Sequence, residues 1–473
     1  MKRLAPVLLS VLVAVAACST AENAAPDPTP VATTAATATT APSATTALSA
    51  TTTSLASMPT TAPTTTAATA DSDATADAAT TAGSDASQDG RESDAVAEPA
   101  DEPAAPSTDP LDAAVTEWMK RSGAPGLVLA VARGDREPDL FSWGVSDLGT
   151  STPMSYRHHV RIGSVTKTVT AAVVLQLAAE GVVALDAPVA QYLGGDWAPG
   201  YEHAAEVTVR DLLGHTSGFV EYAFDPRFYQ LAATRLDEQI SPEEILEFAA
   251  DYGPVTELGT EFNYNTTGYV AAGLVIEAVT GNSAAEELRS RVFEPLGLEH
   301  VYLTPEEFPP EPTANGYVGG TIGYLLGPLL GLTRDNQITH ADAIFVDIST
   351  MPSEFARSAG WTGGGLEAQI GDVAVLMRGL FAGDILDARQ VGLMTTGHPQ
   401  PDNSYGLGIS TEQIAGLTVF SHGGGVPGFR TIAAYIPELD LGIAMTANLL
   451  GIDGTDDVST LLESLAPILA TTN

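Results

Sequence analysis

The sequence predicts an α+β fold: one antiparallel β-sheet with helices on both faces, joined to a mostly helical part. Strand-like runs near the start of the compact region, at 127–132 and 139–145, give one edge of that sheet. Further runs near its end, at 406–411, 417–421, 431–436 and 441–447, give the rest. Between these two sets the chain, roughly 182–360, reads as largely helical. A sheet built from both ends of a domain leaves the intervening chain as a second lobe, and the cleft between lobes is where a site is expected.

Taken in order, residues 1–18 read as a secretory signal. Lys2-Arg3 form a positive head, an apolar run follows from Leu4 to Ala17, and small residues precede Cys18. Val15-Ala16-Ala17-Cys18 resembles the lipobox of bacterial lipoproteins, which implies a lipidated Cys18 and an extracytoplasmic protein anchored to the cell membrane. An ordinary secretory signal containing a cysteine is the alternative. A multiply acylated cysteine holds a membrane stably where a single chain does not. Cys18 is the only cysteine, so the exported domain has no disulfide and its core must carry the stability alone.

Residues 19–108 are Ala, Thr, Ser and Pro with scattered acids. Such a segment has too few large apolar side chains to offset the entropy of ordering, so a disordered linker is expected. A flexible coil of this length spans roughly 55 Å on average. It reads as a spacer between membrane and domain, or as a tail with no length requirement, and its composition permits glycosylation.

Residues 109–473 are enough for one large domain or two interleaved subdomains. The chain carries 59 acidic against 20 basic residues, a net charge of −39. That excess argues against nucleic acid and against anionic membrane patches as partners. It would suit salty surroundings, where ions screen self-repulsion; plain acidic solubility is the alternative. A helix is expected after Pro110, at the position where proline favours a helix start.

The next informative stretch is Gly163-Ser164-Val165-Thr166-Lys167, followed by an apolar helical run to Leu177 with Gly181 as its stop. A three-residue spacing on a helix puts Ser164 and Lys167 on one face, a turn apart. A serine hydroxyl needs a base, and a buried lysine can be one because desolvation favours its neutral form. Alone, Ser-x-x-Lys is common by chance. Here Lys167 is one of only three lysines, with Lys2 and Lys120. Three further stretches matter: Val207-Thr208-Val209-Arg210-Asp211-Leu212-Leu213-Gly214-His215-Thr216-Ser217-Gly218, Phe262-Asn263-Tyr264-Asn265-Thr266, and Ser421-His422-Gly423-Gly424-Gly425-Val426-Pro427-Gly428-Phe429-Arg430.

Together and in this order, these motifs resemble those of the class C β-lactamases, the D-alanyl-D-alanine carboxypeptidases and their esterase relatives, over about 110–450. Ser-x-x-Lys is among that family's signatures. The resemblance implies a β-lactamase/penicillin-binding transpeptidase-like fold, with Ser164 as nucleophile, Lys167 and Tyr264 as proton carriers, and His215 as a structural residue. It places His422 where β-lactamases carry the lysine of Lys-Thr-Gly. It also lines the site with Gly424, and it makes the backbone N–H groups of Ser164 and Gly425 the oxyanion hole. Thr266 stands where the family has a substrate-contacting asparagine, a departure that favours the esterase reading. A threonine offers one hydroxyl, not an amide's donor and acceptor.

The implied chemistry is two-step acyl transfer, with no cofactor and no metal. The expected substrate is a small-molecule or peptide acyl compound, such as a cell-wall peptide or a β-lactam. A catalytically silent surface-binding protein is the third reading. Trp361 and Arg430 read as residues that shape or charge the pocket, or simply pack. The stretch 319–332, broken by Gly and Pro, is too short to span a membrane and reads as a loop near the cleft rim.

Overall fold

The computed structural model describes residues 109–319, 337–340, 343–349, 354–399, 404–450 and 457–471. The expected signal with Cys18, the expected linker and all but the first residue of 319–332 lie outside the described residues.

Helix α1 (Pro110–Ser122) opens with Pro110 at its first position and Asp109 accepting from the Leu111 N–H, and it closes on Gly123 in the left-handed region, φ 72°. Two strands follow, β1 (Gly126–Arg133) and β2 (Asp139–Asp147), then the short β3 (Thr152–Pro153). Helix α2 (Val165–Ala179) comes next, and α3 (Thr267–Thr280), α4 (Glu354–Gly364) and α5 (Ile370–Ala382) lie further along the chain. The C-terminal third supplies β4 (His398–Pro399), β5 (Ser404–Tyr405), β6 (Ser410–Ile414), β7 (Leu417–Val426), β8 (Phe429–Ile436) and β9 (Leu441–Ala447). Helix α6 (Ser459–Leu469) ends the described chain.

The nine strands form one sheet in the order β4-β5-β6-β7-β8-β9-β1-β2-β3, every neighbouring pair antiparallel. Strand alternation divides its side chains between two cores. Leu127, Leu129 and Val131 of β1 pack with Val115 and Trp118 of α1 and Leu461 and Leu465 of α6. Val128, Ala130 and Ala132 face the other way, into a larger core with α2, α3 and α5. Helices thus cover both faces, as the strand pattern predicts.

Helix α2 is buried from Val165 through Leu175. Its Val and Thr content would make it a poor helix in isolation, so tertiary packing holds it. Gly181, φ 76°, follows its end. Helix α3 lies against α4 at Gly273, where a Cβ would overlap the Thr362 side chain, so only glycine allows this approach.

Two expectations need correction. The run 406–411 is not one strand: β5 ends at Tyr405 and β6 starts at Ser410. Between them Gly408 turns with φ 78° against α2, and its carbonyl accepts from the Thr168 hydroxyl at 2.7 Å. The segment 182–360 is not helical throughout: strands lie between its earlier helices and the start of α4. They are Val301–Leu303, Tyr317–Gly319, Gln337–His340 and Ala343–Asp347, in two small sheets. The β-branched and aromatic residues of Ala343-Ile344-Phe345-Val346 suit a strand rather than a helix.

Candidate active site

Three elements converge at the start of α2. Val160–Arg161 delivers the chain to Gly163, whose left-handed turn (φ 55°) leads to Ser164 and the helix. A Cβ on Gly163 would lie 3.0 Å from the Gly425 N and 3.3 Å from the Gly424 carbonyl carbon. A Cβ on Gly424 would in turn overlap the Ile162 carbonyl oxygen. Glycine at both positions lets β7 press its backbone against the turn carrying Ser164.

The register of β7 fixes where its amides point. Val426 and Phe429 flank the two-residue turn Pro427-Gly428 and pair across it, and Gly425 stands opposite Arg430. In a hairpin closed by two residues the flanking pair exchanges hydrogen bonds and the next pair does not. The Gly425 N–H therefore points off the β8 side, toward the Ser164 turn. β6 pairs with β7 only as far as Ser421, so the outward-facing N–H and C=O of Gly425 stand on a strand edge that β6 leaves uncovered beside Ser164. The Ser164 amide, at the helix start, is the second donor with no place in the helix ladder.

Lys167 is fully buried one turn along α2. Its Nζ lies 3.1 Å from Ser164 Oγ, 3.1 Å from Thr266 Oγ1 and 2.7 Å from the Gly363 carbonyl oxygen. Burial lowers its pKa to about 8, while the Glu221 carboxylate pulls it upward. Gly363 reaches the amine because α4 is broken at Trp361, whose backbone sits at φ 33° and ψ −133°. A tryptophan held there is strained and is retained by its surroundings, among them its indole N–H donating to Glu306 at 2.7 Å.

Tyr264 is brought to the same place. Its ring centroid lies 4.9 Å from Lys167 Nζ and 4.3 Å from the His215 ring. His215 supports this loop: its Nδ1 accepts from the Asn265 N–H at 3.2 Å and its carbonyl from the Asn263 N–H at 2.8 Å. Burial holds its imidazole well below the usual range, so it stays neutral.

His422 is also buried and neutral, its pKa pushed down to about 3 by burial and then by Lys167. Its Nδ1 meets the Gly423 carbonyl at 2.6 Å, which can only accept, so the proton sits on Nδ1. Nε2 then accepts from the Tyr405 hydroxyl at 2.8 Å. Both ring nitrogens are thus engaged within the protein.

The Asn265 amide is also engaged, donating to the Asn263 carbonyl and accepting from the Gly268 N–H, each at 2.8 Å. Thr266 lies between Lys167 and Glu221, to whose Oε2 its hydroxyl donates at 2.8 Å. Glu221, Gly363 and Tyr405 were not singled out from sequence. A glutamate in a loop carries no signal of burial, and Gly363 gains its role only through the Trp361 kink. Among the described residues, no group of three or more His, Cys, Asp or Glu side chains could hold a metal.

The Beta-lactamase family profile matches residues 111–465, most of the chain. This chain belongs to the β-lactamase family. It is 35% identical over 197 residues to penicillin-binding protein 4 of Amycolatopsis lactamdurans, covering 40% of this chain and 49% of that one. It is 25% identical over 347 residues to a D-aminopeptidase of Cereibacter sphaeroides, covering 72% and 60%. The chain thus spans about half to three-fifths of the length of these curated relatives. Among solved structures, a D-stereospecific amidohydrolase from Streptomyces superposes with a TM-score of 0.62 at 28% identity, over 74% of this chain and 97% of that one. The fold is that of the β-lactamase family's amidases and penicillin-binding proteins.

Proposed function

We propose that this protein hydrolyses amide bonds of D-amino-acyl compounds outside the cytoplasm, in the manner of a D-alanyl-D-alanine carboxypeptidase or D-aminopeptidase. Lys167 and Tyr264 take the Ser164 proton, Ser164 attacks the carbonyl, and the Ser164 and Gly425 N–H groups hold the oxyanion. One such donor typically contributes about 3 to 4 kcal/mol to transition-state stabilisation. Tyr264 protonates the departing amine, the proton that Lys167 took from Ser164 passes to Tyr264, and water releases the acyl group from Ser164.

The observation that carries this reading is the open edge of β7 beside Ser164. An amide substrate has both N–H and C=O to pair with such an edge, as a further strand does. A simple ester lacks the donor. Likeness to a D-stereospecific amidohydrolase and a D-aminopeptidase supports the same choice. One observation favours small esters as a second reading. The Asn265 amide and the Thr266 hydroxyl are both buried and hydrogen-bonded inside the protein, which leaves neither presented to a substrate's acylamino group.

A panel of a D-alanyl-D-alanine-terminated peptide, a D-alanine p-nitroanilide, a penicillin and a p-nitrophenyl ester separates these. The amide substrates are expected to lead in kcat/KM, with all turnover lost in Ser164→Ala. Turnover confined to the ester, with no penicilloyl adduct on Ser164, would transfer the assignment to the esterases. For localisation we propose lipidation at Cys18. Metabolic palmitate labelling should be lost in Cys18→Ser, and label retained in that variant rejects the anchor.

A further inference from the structure

Glu221 is a carboxylate at the site that acyl transfer, as set out above, leaves unused. It sits just before the short turn Tyr222–Phe224. Its Oε1 accepts from the Ala223 N–H at 2.9 Å, and Oε2 accepts from the Thr266 N–H at 2.7 Å and the Thr266 hydroxyl at 2.8 Å. Burial pushes this carboxyl above its usual range, while Lys167 and these donors pull it back toward the ionised form.

The consequence for Lys167 follows from counting protons. An ionised carboxylate has none to give, so the Thr266 hydroxyl hydrogen points at Glu221 and an oxygen lone pair is left for Lys167. The Gly363 carbonyl can likewise only accept. A neutral lysine amine has two N–H bonds and one lone pair. Two obligatory acceptors take the N–H bonds, and the lone pair is left for its third neighbour, the Ser164 hydroxyl.

We infer that Glu221 is a positioning residue for acyl transfer: through the Thr266 hydroxyl it sets the direction of the Lys167 lone pair toward Ser164. The inference rests on Ser164 as nucleophile and Lys167 as its base. When the Ser164 oxygen bonds to the carbonyl carbon, its proton passes to Nζ. The ammonium so formed has three N–H bonds for the same three neighbours, so nothing needs to rotate during the transfer. Groups facing Nζ from the other elements are the Tyr264 ring, the Tyr269 ring at 5.6 Å on α3, and the neutral His215 and His422. Among the described residues Glu221 is the charge acting on Lys167.

The test is the rate of fluorophosphonate labelling of the full-length protein from pH 5 to 10, followed by intact mass. Glu221→Gln should lower the plateau rate roughly tenfold or more, within the range general-base assistance supplies. It should also move the rising limb to lower pH, because the charge that favours the ammonium has gone. Thr266→Ser keeps the hydroxyl and should stay within about threefold of the parent, while Thr266→Val should fall with Glu221→Gln. A Glu221→Gln plateau and limb equal to the parent's overturn the inference. A lowered plateau with an unmoved limb, accompanied by an equal loss in Thr266→Ser, also overturns it and leaves a purely structural role. If Glu221→Gln fails to fold, the contrast between the two Thr266 variants decides. Ser164→Ala controls for the underlying reading: labelling that survives there rejects the nucleophile itself, whereas a silent Ser164→Ala beside a parent-like Glu221→Gln rejects only the positioning role.

Discussion

Two buried bases at the site lean the same way for the same reason. Desolvation penalises the charged form of both Lys167 and His422. For Lys167 the outcome is a rate: labelling of Ser164 should climb as pH rises toward about 8, where the amine loses its proton, and then level off. A flat profile from pH 6 to 9 would remove Lys167 as the base. For His422 the outcome is a stability. Its folded pKa of about 3 lies below the unfolded value near 6.5, so between these limits the unfolded chain binds a proton that the folded one refuses. Stability is therefore lost as pH falls through that window, at about 1.4 kcal/mol per pH unit from this one group. Denaturant unfolding at pH 4, 5 and 6 should show a shallower slope in His422→Gln; equal slopes would mean that His422 is charged in the folded state. The contact between Ser164 and Lys167 was legible in the sequence because three residues of helix bring the two together locally. Glu221 was not legible, since what makes it part of the site is Thr266, 45 residues later in the chain.

At the level of elements, the start of α2 and the edge of β7 must touch backbone to backbone. Gly424→Ala should push β7 off the Ile162–Ser164 turn and lower activity about 100-fold, the scale expected when one oxyanion donor is displaced. Far-ultraviolet circular dichroism should remain that of the parent. Activity within threefold of the parent would show that the strand does not need this approach. The same physics explains what pattern reading caught and what it missed. Alternating apolar runs identified β1, β2, β8 and β9 to within two residues at each end. The break at 406–409 was invisible because Gly406-Leu407-Gly408-Ile409 alternates like a strand, yet Gly408 is spent on a left-handed turn against α2. The kink at Trp361 was equally hidden: nothing in its type announces a positive φ.

For the whole molecule, a net charge of −39 sets a solution property rather than a fold. Raising sodium chloride from 0.05 to 1 M should raise the unfolding temperature by screening self-repulsion. A fall over that range would mean that the partly exposed arginine pairs, such as Arg210 with Asp186 and Arg235 with Glu244, outweigh the repulsion. The alternation along β1 that divides the interior also assigns the two ends of the compact region to one side of the sheet. α1 and α6 share the smaller core, and the Trp118 indole N–H lies 3.3 Å from both the Asp457 carbonyl oxygen and the Thr460 hydroxyl. Ser164, Lys167 and their neighbours belong to the opposite side. Traction applied to the chain ahead of residue 109 would therefore be taken up by α1 and its partner helix, with nine strands standing between that load and the serine.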